Sequence, residues 1–121
     1  MRARNNIAAA DRWREPLDDN VVTTAAEVLR LLADATRLHL LALLVEEPQD
    51  VTTLTAKVNA SRSSVSQHLG RLRWGGLVTV GREGRRMVYR LSSDHVRALV
   101  AEAYAFAEHL DRDSPHDSSD A

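Results

Sequence analysis

The sequence predicts a mainly helical fold carrying one small β-hairpin, and three observations support it. Apolar residues recur at helical spacing in five stretches between residues 21 and 110. Two alternating segments, Leu77 to Glu83 and Arg86 to Leu91, flank Glu83-Gly84-Arg85, a hairpin tip. Only five aromatic residues are available among 121, so leucine, valine and alanine must fill the core, which favours helices. The length is that of a single domain.

Residues 1–20 show no sustained periodicity, and Pro16 with Asp18, Asp19 and Asn20 marks a break, so a flexible arm is expected there. Arg2 and Arg4 reaching a minor groove, and a merely disordered terminus, are the two readings of that arm. Trp13 within it suggests docking on the body or on a partner subunit. Thr23 or Thr24 then caps a first helix through about Ala33. Asp34 offers the next N-cap, and Ala35 to Val45 is so leucine-rich that it is expected at the centre of the core, ended by Pro48. A short third helix starts near Thr52 or Thr53 and runs to Val58, with Leu54 and Val58 at helical spacing. Asn59 supplies a residue that tolerates a left-handed turn.

The next stretch, NASRSSVSQHLGRLRW from Asn59 to Trp74, places Val65, Leu69 and Leu72 at i, i+4 and i+7, a single buried stripe. Its other face carries Arg62, Ser63, Ser64, Ser66, Gln67, His68 and Arg71, the residue types that reach phosphates and base edges in a major groove. Two helices joined by a tight turn form a helix-turn-helix pattern. Gly75 and Gly76 stop the reading helix. In the hairpin that follows, Met87, Tyr89 and Leu91 alternate with Arg86, Val88 and Arg90, and Arg82, Arg85 and Arg86 stand at or near the tip, where they are expected to contact DNA phosphates. A hairpin this small must pack on the helices, and the combination describes a winged helix. Ser92 or Ser93 caps a last helix reaching about Leu110, with Val96, Leu99, Val100, Ala103, Ala107 and Leu110 in one stripe. That helix is apolar on more than one side, so dimerisation through it and the first helix is expected. Residues 111–121 are acidic and polar and are expected to be disordered, leaving residues 21–110 as the DNA-binding and dimerisation domain.

Charge supports a nucleic-acid partner. Net charge is -1, but residues 57–90 hold eight cations against Glu83, a balance of +7, while residues 91–121 balance at -5. Cysteine is absent, which removes disulfides and thiolate metal sites. No apolar run approaches the length of a membrane span and the N-terminus lacks a secretory pattern, so a cytoplasmic protein without membrane contact is expected. No glycine elbow presents a nucleophile and no glycine-rich loop follows a strand, so an enzyme is not expected.

The segments LLADATRLHLLALL, SRSSVSQHLGRLRWGGLV and GREGRRMVYRLSSDHV, in that order, resemble the ArsR/SmtB family of winged-helix transcriptional regulators across roughly residues 24–110. The resemblance implies a homodimeric fold of four helices, a hairpin and a fifth helix, with the fourth helix in the major groove, and the two-fold symmetry of such a dimer predicts an inverted-repeat operator. It implies a regulator, more often a repressor than an activator, that commonly serves metal resistance or homeostasis. The cysteine site some members carry around the third helix is missing, since residues 47–55 read EPQDVTTLT. Other members bind nickel, cobalt or zinc between paired last helices, and their four ligand places fall on Ser93, His95, Phe106 and His109 here. Two are kept. His95 and His109 are fourteen residues apart, roughly 21 Å along a helix, so one helix cannot chelate with both and an antiparallel partner is needed. Asp94, Glu102, Glu108 and His116 are possible helpers. Three readings of the pair stand side by side: a weak or altered metal site, a vestigial one, and ordinary polar interface residues. His39 reads as a partly buried histidine, and His68 as contacting DNA or packing beneath the reading helix. The rival reading is a winged-helix protein-interaction module, with Trp74 as its anchor, or a regulator switched by a co-regulator protein or another non-metal signal.

Overall fold

The computed structural model describes residues 17–113. Arg2, Arg4, Trp13, His116 and most of the expected arm and tail lie outside the described residues. Helix α1 spans Asp19–Leu32. It starts before the expected threonines, because Asp18 accepts from the Asn20 amide through Oδ1 at 2.7 Å and supplies the N-terminal side-chain acceptor one turn earlier. Two compact units divide the chain between Arg30 and Leu31, the first holding most of α1 and the second every other element.

Within the second unit, α2 (Ala35–Glu46) is capped by Asp34, whose Oδ1 accepts from the Arg37 amide at 2.9 Å. Leu40, Leu41 and Leu44 are buried, and α2 packs on α4 (Arg62–Trp74), on β3 (Arg86–Leu91) and on α5 (Asp94–Asp113), so it is the core element its leucine content predicts. Strand β1 (Gln49–Asp50) leads into α3 (Val51–Lys57), which starts earlier than Thr52 because Asp50 caps it. Lys57 is followed by Val58 in an extended conformation, and among the described residues no non-glycine residue has positive φ, so Asn59 does not adopt the left-handed conformation expected of it. An extended exit turns the chain without needing one.

Helix α4 is capped by Ser61, whose Oγ accepts from the Ser64 amide at 3.1 Å. At its other end Gly76 takes φ 84°, the Gly76 amide donates to the Arg73 carbonyl at 3.0 Å, and the Leu77 amide donates to the Leu72 carbonyl at 2.9 Å. This is a Schellman close, and its hydrophobic partners Leu72 and Leu77 are both buried. Truncating one buried leucine of the Val65, Leu69, Leu72 stripe costs about 2–5 kcal/mol, against about 1 kcal/mol for losing a cap, so packing rather than capping holds α4 down.

The sheet has three antiparallel strands in the order β1-β3-β2, with β2 at Val78–Glu83. The hairpin is as expected: Glu83 pairs with Arg86 and Gly84 has φ 64°, a two-residue loop with glycine at its first position. The third strand was not expected, since two polar residues carry no alternation to read. In β3 the buried residue is Val88 rather than Met87, which is exposed. Val88 lies within the central strand, paired with Gly81 on one side and Asp50 on the other. The last helix, α5, starts where Ser93 Oγ accepts from the Val96 amide at 3.4 Å and continues three residues past Leu110, to Asp113. No described helix is long and apolar enough to cross a membrane.

Candidate nucleic-acid interface

Burying Val65, Leu69 and Leu72 turns the opposite stripe of α4 outward. Ser63, Ser66, Gln67, Gly70, Arg71 and Trp74 follow one another at helical spacing there, and all are exposed, as is Arg62. Ser64 and His68 are half-buried. The Arg37 guanidinium lies 3.4 Å from His68 Nδ1 through Nη1 and donates to the Leu31 carbonyl at 2.7 Å through Nε. An arginine only donates, so Nδ1 is the acceptor of this contact, and His68 packs against α2 from the half-buried flank of α4. His39, by contrast, is exposed rather than partly buried.

Asp50 joins three elements. Its Oδ1 accepts from the Thr53 amide at 2.8 Å, capping α3, while its Oδ2 accepts from Arg86 Nε at 2.8 Å, tying α3 to the start of β3. The Thr53 amide and hydroxyl and the Arg86 guanidinium push its carboxyl down to about 2. Next to it, Arg62 donates to the Thr52 hydroxyl at 2.8 Å, which fixes the start of α4 to α3. Together with Arg85 and Tyr89 these residues line an open cleft of about 300 Å³ between the wing and the two helices. Gln49 is buried beside this junction, donating to the carbonyls of Leu43 and Glu47 at 2.8 and 3.3 Å and accepting from Lys57 at 2.9 Å.

On the wing, Arg82 and Arg85 are exposed, and among the described residues no ion pair engages them or Arg71. Arg86 is paired with Asp50, and Arg90 with Glu83 at 2.8 Å. The basic segment thus offers fewer free charges than its arginine count implies. Asp50, Gln49 and Arg37 escaped the sequence reading. Asp50 carried a signal, an N-cap residue type directly before a helical run; the others act through contacts that no local pattern marks.

Helix α5 holds the remaining candidate residues. Val100 is buried against the core, but Leu99, Tyr104, Phe106 and Leu110 are exposed, as are Leu17, Val21, Val22 and Leu29 in and beside α1. His95 and His109 are exposed at opposite ends of α5. His109 Nε2 lies 3.2 Å from Asp113 Oδ2, and its ring stacks on Phe106 with centroids 6.4 Å apart. Among the described residues no three histidine or carboxylate side chains come together.

A family profile described as "Bacterial regulatory protein, arsR family" matches residues 34–80, from the cap of α2 into β2. The chain is 44% identical over 100 residues to the HTH-type transcriptional regulator KmtR of Mycobacterium tuberculosis, covering 83% of this chain and 77% of that protein. It is 37% identical over 106 residues to the HTH-type transcriptional regulator NmtR of the same organism, covering 88% of each. Its fold is similar to the homodimeric winged helix-turn-helix DNA-binding domain of a possible ArsR-family transcriptional regulator from Mycobacterium bovis. That likeness has a TM-score of 0.71 at 31% identity, over 83% of this chain and 96% of that one. The chain belongs to the arsR family of bacterial regulatory proteins, and is a winged helix-turn-helix DNA-binding transcriptional regulator, not an enzyme.

Proposed function

We propose that the protein is a cytoplasmic homodimeric repressor that lays α4 into the major groove of an inverted-repeat operator and releases it in response to a transition metal. The observation that carries the reading is the solvent stripe of α4, polar and basic throughout except Gly70 and Trp74, held outward by a fully buried apolar stripe. Ser63, Ser66 and Gln67 face the bases, and Gln67 suits a bidentate contact to adenine. Ser64 and His68 support them from the half-buried flank. Arg62, Arg71, Arg82 and Arg85 contact phosphates, with Arg86 at the root of the wing. The exposed apolar residues of α1 and α5 support dimerisation. A gel-shift on the DNA upstream of the protein's own gene, run across a salt series, tests this: binding should weaken steeply with salt and footprint as two half-sites about one helical turn apart. A single asymmetric footprint, or binding indifferent to salt, refutes it.

For the signal, His95 of one subunit and His109 of the other bring two imidazoles together in an antiparallel pair of α5 helices. Asp94, Glu102, Glu108 and His116 remain the possible helpers, and Asp113 joins them because it already reaches His109. Imidazole with carboxylate suits nickel, cobalt or zinc, and the bound ion would supply cross-links between the two helices. Calorimetry should show one of these ions binding to the wild type and not to a His95→Ala, His109→Ala double variant. Unchanged binding in that variant moves the site elsewhere, and no binding in the wild type leaves a non-metal signal or a co-regulator protein as the switch.

A further inference from the structure

We propose that Asp50 is a positioning residue that fixes the wing and withholds Arg86 from the phosphate backbone, raising preference for the operator over other DNA. The inference rests on the DNA-reading arrangement above. Among the described residues, Asp50 is the single acid lining a cleft otherwise edged by Arg62, Arg85 and Arg86. An acid there repels the phosphates those arginines attract, so its presence needs a reason. Capping α3 is not a sufficient one, because a cap uses one oxygen and asparagine or serine caps as well. The second oxygen is committed to Arg86 at 2.8 Å.

The two partners differ in freedom. The Asp50 side chain is 17% exposed and fixed by β1 pairing and by its cap, whereas that of Arg86 is 58% exposed and comes to it. The carboxylate also stays charged at any ordinary pH. Arg86 therefore presents a neutralised pair to passing DNA. Non-specific binding counts available cations, each phosphate contact adding about -0.9 to the slope of log affinity against log salt. Pairing Arg86 removes one such contact, while the same bond ties the start of β3 to the cap of α3 beside α4. Sequence-independent attraction falls and seated binding is preserved.

The test uses the full chain and two duplexes: one selected from a random library by the wild-type protein, and one of equal length with that sequence scrambled. Asp50→Asn, which can still cap, should bind the scrambled duplex more tightly, with a salt slope steeper by about 0.9, and its ratio of selected to scrambled affinity should fall several-fold. Arg86→Gln, which leaves the cap untouched, should leave the scrambled-duplex slope at its wild-type value, and the double variant should return to that value. An unchanged slope and ratio in Asp50→Asn overturns the proposal, as does a slope flattened by a full contact in Arg86→Gln. A wild type that enriches no sequence from the library overturns the DNA-reading arrangement itself.

Discussion

The Arg97 guanidinium, on α5, donates to the carbonyl of Val45 in the last turn of α2. The last four carbonyls of a helix have no partner within it, and a cation there also meets the negative end of the helix dipole. One side chain thus closes the central helix and fastens to it the helix that carries His95. Arg97→Met keeps the aliphatic stem and loses the bond; it should cost about 0.5–1.5 kcal/mol in urea unfolding, the modest figure reflecting a half-exposed group. A neutral result would show that water caps the carbonyl equally well.

Gln49 should matter more. It is 3% exposed and satisfies two carbonyls and the Lys57 ammonium. Gln49→Leu matches its size but removes both bonds to the part-buried carbonyls and the one from Lys57, and should destabilise by about 1–3 kcal/mol. Thermal melting of the two proteins side by side is the measurement.

Two glycines near the end of α4 should respond in opposite directions. A Cβ on Gly70 meets nothing within 4 Å, so Gly70→Ala should stabilise by about 1 kcal/mol through helix propensity alone. A Cβ on Gly75 would collide with the Leu31 side chain, and Gly75→Ala should destabilise by about 1 kcal/mol or more as that leucine is forced to another rotamer. Equal melting temperatures for the two variants would contradict the packing described.

Acid should unfold the protein through its caps. Asp50 is pushed down to about 2, and Asp34 is lowered chiefly by the Arg37 amide that it caps. A carboxyl whose folded pKa lies below its unfolded value, about 3.9, contributes stability in full above the unfolded value and loses it as pH falls toward the folded one. The urea midpoint should therefore drop between about pH 4 and pH 2, and Asp50→Asn should flatten that drop. A variant with the wild-type pH profile would show that other carboxylates control it.

The reading helix was legible from the sequence because thirteen residues gave a stripe, a serine cap and a glycine stop that all agree. The hairpin was legible from Gly84, and the central helix from its leucines. What escaped shares a cause: contacts made across the fold. Asp50 and Arg86 are 36 residues apart, and Arg97 and Val45 are 52 apart. Neither pair leaves a periodic mark. Strand β1 is two polar residues recruited by β3, and Val88 is buried because of the strands beside it rather than any alternation of its own. The histidines of α5 were legible as residues, while the pairing proposed for them depends on a second subunit; Asp113 was overlooked because the helix was expected to end before it.

Trp74 is 94% exposed, on the last residue of the reading helix, just before its Schellman close. An indole in water fluoresces at longer wavelength than one shielded from it, so the ring is a built-in optical probe of this end of α4. With Trp13→Phe in the background, Trp74 is the sole tryptophan. Its emission can then be followed during titration with operator DNA, with metal, or with protein at rising concentration, and a blue shift in one titration alone would identify which event covers that corner of the molecule.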